Sequence, residues 1–379
     1  MKSYKTEIDL TDEQRTKVLQ TMGTCRFCYN LFIDKNKEFR ANGEKYLDAN
    51  KFSVWFNNEY LPKHSDLFWV KEVSSKSVKH AFENADNAFK RFFKKQSGFP
   101  KFKKKSRNNV SMYFVKNNAN DCICERHKIK IPTLGWVKLK ECGYIPTDNI
   151  ISSGCISIKA GRFYISCLVK EEPNADNIDA TCSDGIGIDL GIKDTAIISN
   201  GKVYKNINKS KKVKKLKKKL KREQRKLSRK FIKGGKPSNN YKKQKLEVQK
   251  VYQRFDNIRD DFERKMINEI VRTKPSYIVI EDLNVSGMMK NRHLSKAVQE
   301  QRFYSIVTHL AQKCKENGIE LRKVDRFYPS SKTCHNCGCV KTNLKLSDRT
   351  FVCEDCGFVI DRDLNASLNL RDCENYTVA

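Results

Sequence analysis

The chain carries two sets of side chains able to hold cations, and the two sets imply different chemistry. Cys334 and Cys337 form one C-x2-C pair and Cys353 and Cys356 a second, with fifteen residues between the inner two. Two such knuckles can converge to present four thiolates in a tetrahedron, the pattern of a zinc ribbon. Four thiolates leave no coordination position open to water, so Zn²⁺ held there is structural and not catalytic. Gly338 and Gly357 follow the second cysteine of each pair and let the backbone turn its amides toward the sulfurs. His335 and Cys339 lie close by but break the paired spacing. Cys25 and Cys28 also read C-x2-C, yet they have no second knuckle and sit in an apolar helical run with Phe27, Leu31 and Phe32. That pair reads as core.

The second set is carboxylates. Asp189 ends the apolar segment "GIGID", Glu281 ends "YIVIE", and Asp363 stands at the start of the helix-like "LNASLNL". Apolar strands that finish in an acid carry it to a sheet edge, where residues from separate strands can converge. Such a cluster is costly unless cations neutralise it. A pair of Mg²⁺ ions would do so, and would position water for in-line attack on a phosphodiester. Each acid also has a plainer reading. Asp361 or Asp363 could cap the helix, Glu281 could form a surface ion pair, and Asp189 could orient the turn at Gly191.

Composition points to the substrate. The 379 residues hold 76 Lys and Arg against 44 Asp and Glu, a formal charge of +32. An excess of that size implies a polyanionic partner, nucleic acid ahead of membrane. No stretch approaches the roughly eighteen apolar residues of a membrane span, and "MKSYKTEIDL" lacks the apolar core of a signal peptide. The expected location is therefore cytoplasmic. The fifteen cysteines are odd in number and scattered, so most should be reduced thiols acting as small hydrophobes, Cys155 and Cys167 among them.

The elements that position these groups follow from periodicity. Residues 3–10 alternate as a strand, and "TDEQ" is a capping box with Thr11 as N-cap and Gln14 three residues on. A helical region runs to about residue 96 and ends in "KRFFKKQSGFPKFKKKSR", where Phe92, Phe93, Phe99 and Phe102 interleave with basic residues. That mixture suits either a nucleic-acid surface or a helix end followed by a solvated loop. Period-two segments from 107 to 172 predict an antiparallel sheet or small barrel. The polar stretch "EEPNADNIDATCSD" marks a boundary, after which residues 185–205 read as two strands joined at Asn200-Gly201. Lys209 to Lys236 holds sixteen Lys or Arg and one Glu. A helical stripe through it, resumed after Gly234, Gly235 and Pro237, predicts a helical hairpin over about 209–272, with a phosphate-backbone role. A strand ending at Glu281, a helix over about 294–316 and a strand at "GIELRKV" complete a mixed α/β order before the ribbon.

With these features in hand, "GIDLGIKDTAIISNG", "IVIEDLNVSGM", "FYPSSKTCHNCG" and "CGFVIDRDLNASLNL" resemble the TnpB proteins of insertion-sequence transposons and the related compact type V CRISPR effectors. The N-terminal "CRFCYNLF" and "FPKFKKKS" also look like family segments. The resemblance implies an RNA-guided, Mg²⁺-dependent DNA endonuclease that acts beside a short recognition motif, with guide RNA and double-stranded target DNA as partners. It implies an RNase H-like RuvC domain over 183–332 and 358–379, interrupted by a zinc ribbon at 333–357. It also implies a wedge-like β-barrel from 1–10 and 107–180, carrying a helical recognition domain at 11–106. The family's metal-binding acids fall on Asp189, Glu281 and Asp363, with Asp361 the rival for the third position. Charge alone nominates Lys101, Lys103, Lys104 and Lys105 as nucleic-acid contacts. In the basic run it nominates Lys211, Lys212, Lys214, Lys215, Lys218, Arg222 and Arg225. Alternatives in other classes are a guided repressor that binds without cutting and a guide-independent zinc-ribbon DNA-binding protein. Within the family, a CRISPR-associated effector competes with a transposon-encoded one.

Overall fold

Thr11 begins the first helix as its spacing predicts: its side chain accepts from the Gln14 backbone while the Gln14 amide reaches back to the Thr11 N–H. The structure, a computed structural model, describes residues 1–105, 110–171, 184–345 and 348–378. The chain divides into two units, Met1–Pro173 and Asn174–Ala379. The polar boundary stretch lies outside the described residues from 172 to 183.

In the first unit, strand β1 (Lys2–Asp9) precedes helices α1 (Asp12–Ala41), α2 (Ala49–Trp55) and α3 (Ser75–Phe93). Five strands follow: β2 (Met112–Val115), β3 (Lys128–Ile131), β4 (Gly135–Leu139), β5 (Ile151–Lys159) and β6 (Arg162–Val169). The sheet order is β2-β5-β6-β1-β4-β3, antiparallel throughout. No ladder joins β2 to β3 among the described residues, so the pairing is that of an open six-stranded sheet. The helices have their own core of packed rings, including Phe32, Phe52, Phe56 and Phe82. Cys25 and Cys28 lie in it, and burial pushes the Cys25 thiol up to about 12, which suits an inert core residue.

The second unit is built on strands β7 (Ile186–Leu190), β8 (Asp194–Ile198), β9 (Val203–Lys205), β10 (Tyr277–Glu281), β11 (Glu320–Val324) and β14 (Tyr376–Val378), in the order β14-β11-β10-β7-β8-β9. Residues 185–205 thus form three strands instead of the expected two. The extra turn sits at Gly191–Lys193, a short break that alternation alone does not reveal. At the other turn Gly201 takes a φ of +86°, the conformation that favours glycine there. The helices α4 (Lys211–Arg229) and α5 (Asn239–Arg272) form the basic hairpin, joined by Val213, Leu216, Val251 and Phe255. The expected helix over 294–316 is two helices, α7 (Ser295–Gln301) and α8 (Phe303–Glu316), preceded by the short α6 (Val285–Lys290). The break is at Arg302, whose φ of +60° no right-handed helix accommodates. Strands β12 (Thr350–Val352) and β13 (Val359–Asp361) belong to the ribbon, and α9 (Arg362–Arg371) leaves it.

Both faces of the central sheet are covered, and strand alternation decides which residue meets which layer. Ile186, Ile188, Ile278 and Ile280 pack against Met266, Ile267 and Ile270 of α5 and Ile306 and Leu310 of α8. Val279 packs on the opposite side with Leu370 of α9. Gly187 faces α9 as well. A Cβ there would stand 1.9 Å from the Ser367 carbonyl oxygen, so only glycine lets the helix backbone lie directly on β7. Because successive side chains alternate faces, Asp189 and Glu281 must point to the α9 side of the sheet.

Candidate active site and metal centre

The four ribbon sulfurs are gathered within 4.8 Å of one another. Cys334 and Cys356 are 3.7 Å apart and Cys337 and Cys353 are 3.5 Å apart, too far for disulfides. The knuckles turn at Gly338 (φ +77°) and Gly357 (φ +71°). Cys334 N–H donates to the Cys339 carbonyl (2.8 Å) and Cys353 N–H to that of Phe358 (2.9 Å), which fixes the sulfurs' approach. A closed set of soft thiolate donors with no water position fits a structural zinc ribbon. Among the described residues no other group of three or more His, Cys, Asp and Glu side chains is gathered in this way.

The ribbon is bolted to α9 by two asparagines that sequence reading passed over. Buried Asn365 donates to the Thr333 carbonyl (2.7 Å) and accepts from the His335 N–H (3.1 Å). Asn369, one turn on, donates to the carbonyls of Ser330 and Thr333, each at 2.7 Å. Their i, i+4 spacing on a helix was the available signal. The knuckle and the helix carrying Asp363 therefore move as one piece.

The acids approach one another at the end of the sheet without being gathered as closely as the sulfurs. β7 and β10 run parallel with Ile188 beside Ile280, so Asp189 and Glu281 follow one step later on neighbouring strands and on the α9 face. α9 supplies Asp363 in its first turn. Asp361 is the N-cap, accepting from the backbone of Asp363 (3.0 Å) and Leu364 (3.1 Å), so its carboxylate is already committed. Burial first, then the Asp363 and Glu281 carboxylates, push Asp189 up to about 7, against the opposing pull of Arg362. Burial, followed by Asp282, also raises Glu281. Three carboxylates contributed by β7, β10 and α9, with Asp189 raised by burial and by its two acidic neighbours, offer hard oxygen donors of the kind Mg²⁺ takes.

Around this set, Gln301 donates to the carbonyls of Gly191 (3.0 Å) and Ile192 (3.2 Å), holding the turn that follows Asp189. Arg322 lies over the rings of Tyr277 (3.7 Å) and Tyr376 (4.3 Å), tying β10, β11 and β14 together. Neither contact is legible without the sheet order.

The predicted nucleic-acid contacts fall in two places. Lys211, Lys212, Lys214, Lys215, Lys218, Arg222 and Arg225 are all exposed on α4, whose one acid, Glu223, is turned inward onto Gln244 (2.9 Å). Lys101, Lys104 and Lys105 are exposed with Phe99 and Phe102. Lys103 is different: its ammonium sits 3.8 Å over the Tyr29 ring and burial lowers its pKa. Its backbone is pinned to Asn30 by bonds of 2.8 and 3.0 Å, so Lys103 anchors the segment.

The chain is similar to several known proteins. Residues 303–370 match a family described as "Cas12f1-like, TNB domain", residues 167–292 one described as "Probable transposase", and residues 1–45 one described as "Helix-turn-helix domain". In this structure residues 1–45 hold one strand and a single 30-residue helix, not two helices. A Streptomyces pristinaespiralis protein named "Putative RNA-guided DNA endonuclease" is 30% identical over 372 residues, covering 97% of this chain and 88% of its own length. The Escherichia coli K12 protein "Putative RNA-guided DNA endonuclease InsQ" is 27% identical, covering 98% of this chain and 91% of its own. Among solved structures, Cas12f1 in complex with sgRNA and target DNA aligns with a TM-score of 0.57 at 15% identity, over 96% of this chain and 83% of that one. That likeness is one of fold.

Proposed function

The chain belongs to the TnpB family, and from that premise we propose that it is an RNA-guided DNA endonuclease in which Asp189, Glu281 and Asp363 hold Mg²⁺. The observation that carries the reading is the register of β7 and β10, which ends Asp189 and Glu281 on neighbouring strands and one face, with Asp363 and Glu281 the charges that, after burial, most raise Asp189. Bound Mg²⁺ would activate a water for attack on phosphorus and stabilise the oxygen that leaves opposite it. The protein's part is to aim the three carboxylates. β7 and β10 set Asp189 and Glu281 side by side, and α9, capped by Asp361, brings Asp363 in its first turn.

The exposed basic face of α4 is suited to track phosphates without reading bases. Sequence would be read by pairing between guide and target, with the protein sensing backbone and shape, as in other RNA-guided nucleases. We assign the first unit's antiparallel sheet and its helical insertion to gripping guide RNA and recognising a motif beside the target. Residues 184–332 and 358–378 form the RuvC-like nuclease, with the ribbon inserted as a scaffold. No helix among the described residues is long and apolar enough to cross a membrane.

The test is to express the protein with its native flanking DNA, sequence the RNA that copurifies, and assay that complex on matched DNA with Mg²⁺ or with chelator. One structured RNA with a variable end and Mg²⁺-dependent cutting lost in Asp189→Ala is the expected result. A defined RNA without cutting would make the protein a guided repressor. No defined RNA would reject guidance altogether.

A further inference from the structure

Asp363 is already engaged by cations belonging to the protein. Arg362 donates to its Oδ1 from Nε (3.0 Å) and from Nη2 (2.7 Å). A guanidinium nitrogen of Arg349 lies 3.6 Å from the other oxygen, Oδ2. Both oxygens that a divalent ion would use thus face an arginine. The side chains of Arg362 and Asp363 are only 13% and 17% exposed, so water screens their attraction weakly. The arrangement is built into the backbone: Arg362 N–H donates to the Arg349 carbonyl (2.8 Å), which ties the two arginines together at the ribbon's exit. Arg362 also opposes the acids in their effect on Asp189.

We propose that Arg362 is the resident counter-cation of the acid cluster, gripping Asp363 until a divalent ion displaces it. It is a positioning residue that sets how tightly the site takes metal. This rests on the reading of the three acids as metal ligands. The grip and the metal compete for the same lone pairs, and a fixed positive charge beside a cation site weakens binding there. A barely loaded site in the resting protein follows.

The experiment measures Mn²⁺ binding by electron paramagnetic resonance to the zinc-loaded full chain without nucleic acid. Wild type is compared with Arg362→Gln, Arg362→Lys and Asp189→Asn. Arg362→Gln should bind Mn²⁺ about tenfold tighter, the scale on which one nearby charge acts on a buried carboxylate. Arg362→Lys, which keeps the charge, should stay near wild type. Unchanged or weaker binding in an Arg362→Gln protein with normal zinc content and melting temperature overturns the proposal. If that variant does not fold, Arg349→Gln frees Oδ2 from outside the helix and must itself tighten Mn²⁺ binding, and failure to do so overturns it equally. Asp189→Asn separates the two ideas. If it weakens Mn²⁺ binding while the arginine variants change nothing, only the counter-cation role falls. If it changes nothing, the metal role of the acids falls too.

Discussion

The cysteine ribbon and the acid cluster proposed to hold Mg²⁺ are joined by α9, and they are assembled in opposite ways. The ribbon's four ligands come from a window of residues 334–356, and their sulfurs already lie within 4.8 Å of one another. The acids come from residues 189, 281 and 363, are brought together only by a strand register and a helix, and are balanced by arginines. A site that only holds structure can be closed and local. One that works on a substrate has to be open, non-local and strained by like charge, because the ligands it gathers must remain available to something that arrives from outside.

Breaking the ribbon should have the largest effect. Cys353→Ser should reduce zinc from one per chain to near none and abolish cleavage by unfolding the ribbon, since structural zinc supplies folding free energy outright. Zinc analysis with protease sensitivity of residues 330–360 would check this, and retained zinc with full activity would refute the scaffold role. Breaking the acid cluster should leave the ribbon alone. Asp189→Ala, Glu281→Ala and Asp363→Ala should each lower cleavage by about 10²- to 10³-fold or more, with zinc content and RNA binding unchanged. Asp361→Ala should cost stability of about 1 kcal/mol through the lost cap while keeping metal-dependent cutting.

The joint between the regions is the next lever. Asn365→Ala removes the acceptor of the His335 N–H and one of the two donors to the Thr333 carbonyl, so a loss of about 1–3 kcal/mol is expected. Cleavage should fall while zinc stays bound, and if both are untouched the ribbon and α9 are not coupled as described. The last lever is pH. With chelator present, Asp189 binds a proton in the folded protein between about pH 4 and its raised value of about 7, where the unfolded chain has released it. Stability of this unit should therefore fall as pH rises through that window, and Asp189→Asn should flatten the dependence of its melting temperature. An identical pH profile in the two proteins would argue that neither burial nor the neighbouring acids raise Asp189.

Local chemistry was readable directly. The capping box at Thr11 and Gln14, the paired cysteines, the strand ending at Glu281 and the basic hairpin all depend on residues within a few positions of one another. The inert reading of Cys25 and Cys28 rested on the same short-range pattern of apolar neighbours. Errors arose where a single residue departs from local preference. Arg302 breaks a helix whose apolar stripe continues through it, and the turn at Gly191 divides a run whose alternation reads as one strand.

The sequence by itself determined which residues could hold zinc, which acids end apolar strands, and that a chain of charge +32 needs a polyanion. Only the tertiary structure decided that Asp361 caps α9, that Gly187 lets α9 lie on the sheet, and that Arg362 and Arg349 flank Asp363. The physical reason is range. Thiolate spacing and strand period are set by covalent geometry over a few residues, whereas the electrostatics of a buried carboxylate depend on every charge that folding brings near it, however distant in the chain.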